Sequence, residues 1–155
     1  MEARYKVLGI AAGTGRIGYA LLEGDQLAAW ELSRKASRSA QEASQVTRQW
    51  LELLKPEVVV TELLSACTRK RGRTLALIPA IEQTANEMKI LTASVERRQR
   101  YKNKYEEARA LARRFADLKD HVPKPPSIWL PEPRNTIVFE ALALALEIKR
   151  SDDLH

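Results

Sequence analysis

Three short stretches rich in apolar residues open the chain, and turn residues separate them. Residues 5–10 form a run of β-forming side chains, which predicts a buried strand. Ile17, Tyr19 and Leu21 occupy alternate positions and predict a second strand, and residues 27–32 predict a third. Because glycine and acidic residues fill the breaks between these stretches, we expect an antiparallel meander.

The rest of the chain alternates between helical and strand patterns. Ser39, followed three residues later by Glu42, is typical of a capped helix start, and this helix extends to residue 54. Three consecutive valines in residues 57–62 are typical of a strand buried on both faces, as in a parallel sheet. The further predicted elements are a helix at 73–88, a strand at 89–95, and helices at 103–115 and 135–149.

The resulting order of elements is β-β-β-α-β-α-β-α-α. A meander followed by alternating strands and helices predicts an α/β fold with a mixed five-stranded sheet flanked by helices. The length of 155 residues predicts one domain, 1–155, and residues 151–155 are expected to form a flexible tail.

The chain carries 26 Lys and Arg against 20 Asp and Glu, a net charge of +6. This excess favours a polyanionic partner such as nucleic acid. No apolar run approaches the roughly 18 residues that a membrane helix needs, and the first residues lack a signal-peptide layout. The single cysteine, Cys67, excludes an intrachain disulfide and a cysteine-rich zinc site. We therefore expect a cytoplasmic protein without a membrane partner.

Gly13, Gly15 and Gly18 follow the first predicted strand at the G-x-G-x-x-G spacing of a dinucleotide-binding loop. That fold needs a helix directly after the glycines, with its N-terminus at the pyrophosphate. Only residues 16–22 precede the next turn, whereas a helical crossover needs about 10–12 residues. The alternation there favours a strand, so we expect no dinucleotide. A plain hairpin turn stays open as an alternative.

The same glycines also fit a different pattern. Residues 10–20, IAAGTGRIGYA, resemble the opening of the RuvC-type Holliday junction resolvases in the RNase H-like superfamily, with its I-D-x-G-[ST] and G-[YF] elements. Residues 55–63 resemble that family's P-[DE]-x-x-x-x-E strand, residues 89–98 its next strand, and residues 139–145 its closing D-A-[LA]-A-[LI]-A helix. The order and spacing of these short motifs carry the resemblance, which extends through most of the chain.

The resemblance implies an RNase H-like fold and an endonuclease that hydrolyses branched DNA with two divalent ions, Mg²⁺ or Mn²⁺. It places metal ligands at Glu62 and Glu140. The family often has a further acid three residues before the one in the last helix, but this chain has Ile137 there, and Glu132 in the preceding loop is our candidate for the missing catalytic acid. Carboxylates suit such hard cations. The family's central aspartate falls on Ala11, which cannot bind a metal. The chain as written is therefore expected to be nearly inactive.

Two explanations for Ala11 stay open. One is an aspartate-to-alanine change made to disarm the enzyme, for example to trap a DNA complex. The other is a natural degenerate protein that binds without cutting. The residues around position 11 still resemble an active member, which favours the first explanation.

Two basic segments follow the strands that resemble the resolvase motifs. Both loops would therefore open at the edge of the sheet that carries the acids. Lys and Arg hold phosphate backbones, and an aromatic residue can stack on an unpaired base. The candidate DNA-binding residues are Arg69, Lys70, Arg71, Arg73, Arg97, Arg98, Arg100, Tyr101, Lys102 and Lys104.

The resemblance also implies a homodimer, in which two sites related by a two-fold axis would nick a four-way junction symmetrically. Leu63, Leu64 and Ser65 follow Glu62 where the family places an aromatic wedge, so the preference for junctions stays open. Two further alternatives are a non-catalytic nucleic-acid-binding module on the same fold and a RuvX-like nuclease that processes ribosomal RNA precursors.

Overall fold

A computed structural model describes residues 5–64, 72–96, 100–126, 133 and 135–153, except for the side chains of 73 and 149–153. Strands and helices alternate in the predicted order. The strands are β1 (Lys6–Gly13), β2 (Arg16–Glu23), β3 (Gln26–Ser33), β4 (Val58–Glu62) and β5 (Leu91–Val95). The α-helices are α1 (Ala40–Leu54), α2 (Arg73–Glu87), α3 (Lys104–Arg114) and α4 (Thr136–Asp153). None of the helices in this part of the chain is long and apolar enough to cross a membrane.

The strands form one five-stranded sheet in the order β3-β2-β1-β4-β5. β2 pairs antiparallel with both β1 and β3, which makes the predicted meander. β4 lies parallel to β1, and β5 lies parallel to β4. The carboxyl ends of β1, β3, β4 and β5 therefore lie at one edge of the sheet, which we call the carboxyl edge. The predicted mixed sheet flanked by helices is confirmed.

The glycines between β1 and β2 belong to a hairpin. Thr14 and Gly15 form the turn, and Gly15 has a φ of 80°, a conformation that glycine adopts at little cost. β2 begins directly afterwards, at Arg16. A strand rather than a helix follows the turn, so this loop lacks the helix N-terminus that holds a pyrophosphate in dinucleotide sites.

Side-chain caps set the starts of two helices. At the start of α1, the Oγ atom of Ser39 accepts a hydrogen bond from the backbone N–H of Glu42 at 3.1 Å, as predicted. At the start of α3, Oδ1 of Asn103 accepts hydrogen bonds from the backbone of Tyr105 and Glu106, each at 2.9 Å. Both helices therefore begin within one residue of their predicted position.

The largest differences from the prediction lie at three places. β1 continues to Gly13 because its last residues pair with β2 as far as the hairpin turn. An unpredicted 3-10 helix, Ala116–His121, follows α3, and its Leu118 is fully buried. α4 extends to Asp153 because no Gly or Pro interrupts its sequence. Part of the expected tail at 151–155 therefore belongs to α4, and residues 154–155 lie outside the described residues.

Apolar cores fill both faces of the sheet. One core lies between the sheet and helices α1 and α2, and it includes Ile10, Tyr19 and Trp50. The other lies between the sheet and helices α3 and α4, and it includes Ala11. We call the second side of the sheet the α4 face. Ile10 and Ala11 are neighbours in β1 and so contribute to opposite cores.

The apolar residues of α2 belong to the first of these cores. Leu77, Ile78 and Ile81 are almost fully buried there, and Leu75 packs against the same cluster. In the structure, this apolar stripe of α2 packs into the core.

Candidate nucleic-acid site at the carboxyl edge

The parallel pairing of β1 with β4 brings position 11 near the end of β4. The paired residues run from Val7 with Val58 to Gly9 with Val60, and Ala11 and Glu62 each lie two residues further along their own strand. Side chains opposite each other in neighbouring strands point to the same face of the sheet. Val60 and Ala11 both belong to the core on the α4 face. Glu62 therefore faces α4 as well.

Glu62 is the last residue of β4 and is half-buried, with its Oε1 atom shielded from solvent. The preceding residue, Thr61, points to the opposite face, where its hydroxyl donates to Oε1 of Glu82 at 2.8 Å. The hydroxyl of Ser94 in β5 lies 3.5 Å from the same oxygen. Glu82 of α2 therefore contacts the ends of both β4 and β5, on the face of the sheet opposite to Glu62.

Helix α4 crosses β1 and β2 at short distance because glycines lie beneath it. A Cβ added to Gly9 would lie 2.0 Å from the carbonyl oxygen of Ala141. A Cβ added to Gly18 would lie 2.7 Å from Cγ2 of Ile137. Since Gly18 lies closer to the carboxyl edge than Gly9 does, α4 begins near that edge and runs away from it.

Glu140 lies in the turn of α4 between these two contacts, close to the level of Ala11, and is half-buried. Glu147 occupies the same side of the helix two turns later. It pairs with Arg100, which follows β5, at 3.4 Å. This side of α4 therefore lies over β4 and β5, where Glu62 also lies.

Ala11 itself supplies no ligand. Its side chain is 2 % exposed and belongs to the apolar core beneath α4. It pairs with Gly18 of β2 and lies near the end of β4 on its other side. Position 11, Glu62 and Glu140 thus share one region of the α4 face, with a methyl group where the resemblance implies a carboxylate.

The described side chains do not complete a two-ion metal site. Glu62 and Glu140 have the right chemistry, because Mg²⁺ and Mn²⁺ prefer carboxylate oxygens. Ala11 contributes no oxygen, and Glu132 lies outside the described residues. Within the described ranges, no group of three or more His, Cys, Asp or Glu residues could hold a metal ion. The described residues therefore do not by themselves fit the implied pair of ions.

The structure describes part of the predicted DNA-binding set. Arg100 pairs with Glu147 of α4, which holds the segment after β5 against that helix. Tyr101 is half-buried, whereas Lys102 and Lys104 are exposed beyond the end of β5. The predicted residues outside the described ranges are Arg69, Lys70, Arg71, Arg97 and Arg98, and the side chain of Arg73 also lies outside them.

Two groups at this edge were missed in the sequence. Thr61 and Ser94 are hydroxyl residues in short predicted strands, and a buried hydroxyl needs a hydrogen-bond partner. That need is the sequence signal that could have pointed to Glu82. A cluster of cations follows β3, and its signal is the run SRKASR between a predicted strand and a predicted helix. Its members are Arg34, Lys35 and Arg38.

Three solved structures resemble this chain over nearly their whole length. Thermus thermophilus RuvC has a TM-score of 0.64 at 17% identity, covering 96% of each chain. RuvC of T. thermophilus in complex with Holliday junction substrate has a TM-score of 0.61 at 18% identity, covering 97% of this chain and 96% of that chain. Fowlpox virus resolvase in complex with Holliday junction DNA has a TM-score of 0.63 at 12% identity, covering 94% and 97%. The fold is that of the RuvC-type resolvases.

No protein-family model and no curated protein matches the sequence. The RuvC-type, RNase H-like fold nevertheless confirms the resemblance inferred from the glycine hairpin and the three later motifs. Glu62 lies at the carboxyl edge of this chain's sheet, on the α4 face that also carries Ala11. The segment that begins at Arg100 follows β5, and Arg100 pairs with Glu147 of α4.

Proposed function

We propose that this chain is a RuvC-type endodeoxyribonuclease for four-way DNA junctions that has lost cleavage through Ala11 and retains junction binding. The observation that carries this proposal is the position of Ala11, beneath α4 and near the end of β4 that Glu62 occupies. A carboxylate there would join Glu62 and Glu140 in one cluster. The methyl group of alanine removes it.

Two properties of the chain support DNA as the partner. The net charge of +6 favours a polyanion. Basic segments follow β4 and β5 in the sequence, and Glu62 is the last residue of β4. Two of the solved structures with this fold are complexes with Holliday junction DNA. A homodimer would present two such edges to the two strands that a symmetric resolution requires.

The loss of cleavage follows from the number of carboxylates. In the active form, Mg²⁺ or Mn²⁺ would supply the charge that activates water and stabilises the leaving oxygen. Glu62 and Glu140 remain suitable for that purpose. Without an acid at position 11, they are too few for a pair of ions.

A specific observation favours a second candidate function, a non-catalytic binding module. Ala11 is 2 % exposed within an apolar core. A core that packs closely around the methyl group of Ala11 is what we expect of a chain that no longer uses an acid at position 11. Such a protein would bind a junction and would not regain cleavage when the acid is restored.

The test is cleavage of an end-labelled four-way DNA junction in Mg²⁺ or Mn²⁺. The chain is compared with Ala11→Asp and with the double variant Ala11→Asp/Glu62→Gln, and linear duplex is the substrate control. We expect paired symmetric nicks from Ala11→Asp alone, because the double variant again lacks one acid.

Binding measurements separate the remaining outcomes. If no variant cuts and all bind the junction in preference to linear duplex, the binding module replaces the proposal. If none of them prefers the junction and structured RNA binds more tightly, the RNA-processing alternative replaces it.

A further inference from the structure

A second cluster of cations lies at the carboxyl edge, on the side of β3. Arg34, Lys35 and Arg38 are exposed in the short segment that joins β3 to α1. We call them the β3 cluster. They belong to none of the segments that the resolvase resemblance suggests for DNA binding.

The β3 cluster stands on a well-ordered turn. Residues Lys35–Ser37 form a single 3-10 turn, in which Ala36 and Ser37 are buried. The backbone N–H of Ala36 donates to Oγ of Ser33 at 3.1 Å, and the hydroxyl of Ser37 donates to the carbonyl of Arg34 at 2.8 Å. The buried residues anchor the turn, so its cations project from a rigid base.

The sheet register fixes the position of this turn relative to Ala11. Ser33 pairs with Ile17 of β2, which pairs with Ala12 of β1. Two strand spacings separate Ser33 from Ala12, which is roughly 10 Å. Arg34 follows Ser33 directly. The β3 cluster therefore lies at the same edge of the sheet as Ala11, on the side away from β4 and β5, and its turn packs through Ala36 into the core of α1 and α2.

The β3 cluster has no ion-pair partner among the described residues. Within the described part of the chain, Arg34, Lys35 and Arg38 take part in no ion pair. Glu31, the preceding acid in the sequence, is directly paired with Tyr19 of β2, where burial raises the pKa of the Tyr19 hydroxyl and the charge of Glu31 raises it further. Three exposed cations without acids in contact produce a local positive potential that suits a polyanion.

We propose that Arg34, Lys35 and Arg38 bind the phosphate backbone of a second arm of a branched DNA. This inference rests on the proposed function and extends it. The loops after β4 and β5 would hold one arm, and the β3 cluster, across the site, would hold another. A single straight duplex would engage the two sets of cations less fully than a branched molecule does.

The test compares two variants that each lose two positive charges. Arg34→Gln/Lys35→Gln removes most of the β3 cluster. Lys55→Asn/Lys89→Asn is the matched control, because these exposed lysines precede β4 and β5 at the opposite edge of the sheet. Both have positive φ, 49° and 60°, which asparagine tolerates. Affinity for a four-way junction and a linear duplex is measured by fluorescence anisotropy at several salt concentrations.

We expect Arg34→Gln/Lys35→Gln to weaken junction binding by about tenfold or more and to reduce the salt slope by about 2. The control should change both quantities much less, and duplex binding should fall less than junction binding. Equal losses in the two variants would overturn the inference while leaving junction binding by the parent chain intact. If the parent binds duplex or RNA without preferring a junction, the proposed function fails. If it binds no nucleic acid, both proposals fail.

Discussion

Gly9 of β1 lies directly beneath the backbone of Ala141 in α4, so close that a Cβ on Gly9 would lie 2.0 Å from the Ala141 carbonyl oxygen. Real Cβ atoms do not approach a backbone oxygen to that distance. The absence of a side chain at Gly9 therefore sets the separation between α4 and β1. That separation in turn decides how close Glu140 comes to the end of β4.

We expect Gly9→Ala to lower the free energy of unfolding by about 3 kcal/mol, because the added methyl group meets a backbone atom that cannot rotate away. Urea denaturation measures this change. Gly15→Asn is the control, because a Cβ at Gly15 meets nothing within 4 Å and asparagine tolerates its φ of 80°. If both variants retain the stability of the parent, α4 does not lie on β1 as closely as described.

We expect Ala11→Asp to lower the free energy of unfolding by at least about 2 kcal/mol without divalent ions, because it places a carboxylate in an apolar core beside Glu62. If position 11 completes an acid cluster with Glu62 and Glu140, added Mg²⁺ or Mn²⁺ should then raise the Tm of this variant. The expected rise is about 2–4 °C for each kcal/mol recovered. The parent chain should show no such rise.

Ala12→Asp is the matched control for this experiment. Ala12 is as buried as Ala11, at 2 % exposure, but it belongs to the core on the opposite face of the sheet. Its aspartate should destabilise the protein and remain insensitive to divalent ions. An equal ion response in the two variants would mean that the ions act elsewhere.

The elements that could be predicted from the sequence depend on local patterns. The Ser39 cap, the hairpin at Gly15 and the buried strand that ends at Glu62 each follow from a few neighbouring residues. The contact between Gly9 and Ala141 joins distant parts of the chain. A glycine within a strand pattern can indicate a bulge, a bend or a close backbone contact, and the sequence does not distinguish these until the position of the helix above it is known.

The candidate site shows the same division between features that local sequence patterns predict and features that depend on long-range contacts. The resemblance assigns Glu62 and Glu140 to one site, and the alternation along β4 with the course of α4 explains why both belong to the α4 face. The ion pair between Arg100 and Glu147 could not be predicted, because it depends on which side of α4 lies over β5. Arg100 was expected to contact DNA, and this pair gives it a structural role as well.

Asn103 connects the basic segment after β5 to the start of α3. Its Oδ1 accepts two backbone hydrogen bonds, from Tyr105 and Glu106. We expect Asn103→Ala to lower the free energy of unfolding by about 1 kcal/mol, since the first turn of α3 loses its cap. Asn103→Asp should retain the stability, because aspartate caps equally well and its charge suits the helix N-terminus. Thermal unfolding of the three proteins compares these effects, and a loss in Asn103→Asp equal to that in Asn103→Ala would contradict the capping role.

Tyr19 and Glu31 are directly paired residues of β2 and β3. Burial raises the pKa of the Tyr19 hydroxyl above its ordinary value of 10.0, and the charge of Glu31 and its hydrogen bond raise it further. The folded protein therefore holds this proton more tightly than the unfolded chain does. The contribution of Tyr19 to stability is complete below about pH 10 and is lost as the pH rises from there towards the folded pKa.

Tyr19→Phe removes this titrating group and leaves a ring of similar shape against Trp50. We expect the free energy of unfolding of the parent to fall more steeply than that of Tyr19→Phe between about pH 9 and about pH 11. Other groups that titrate in this range are shared by both proteins and cancel in the comparison. Tyr5→Phe serves as the control, because Tyr5 is 47% exposed, and it should keep the parent's slope. Urea unfolding at the two pH values measures both slopes, and equal slopes for the parent and Tyr19→Phe would show that the phenol keeps the same proton affinity on folding.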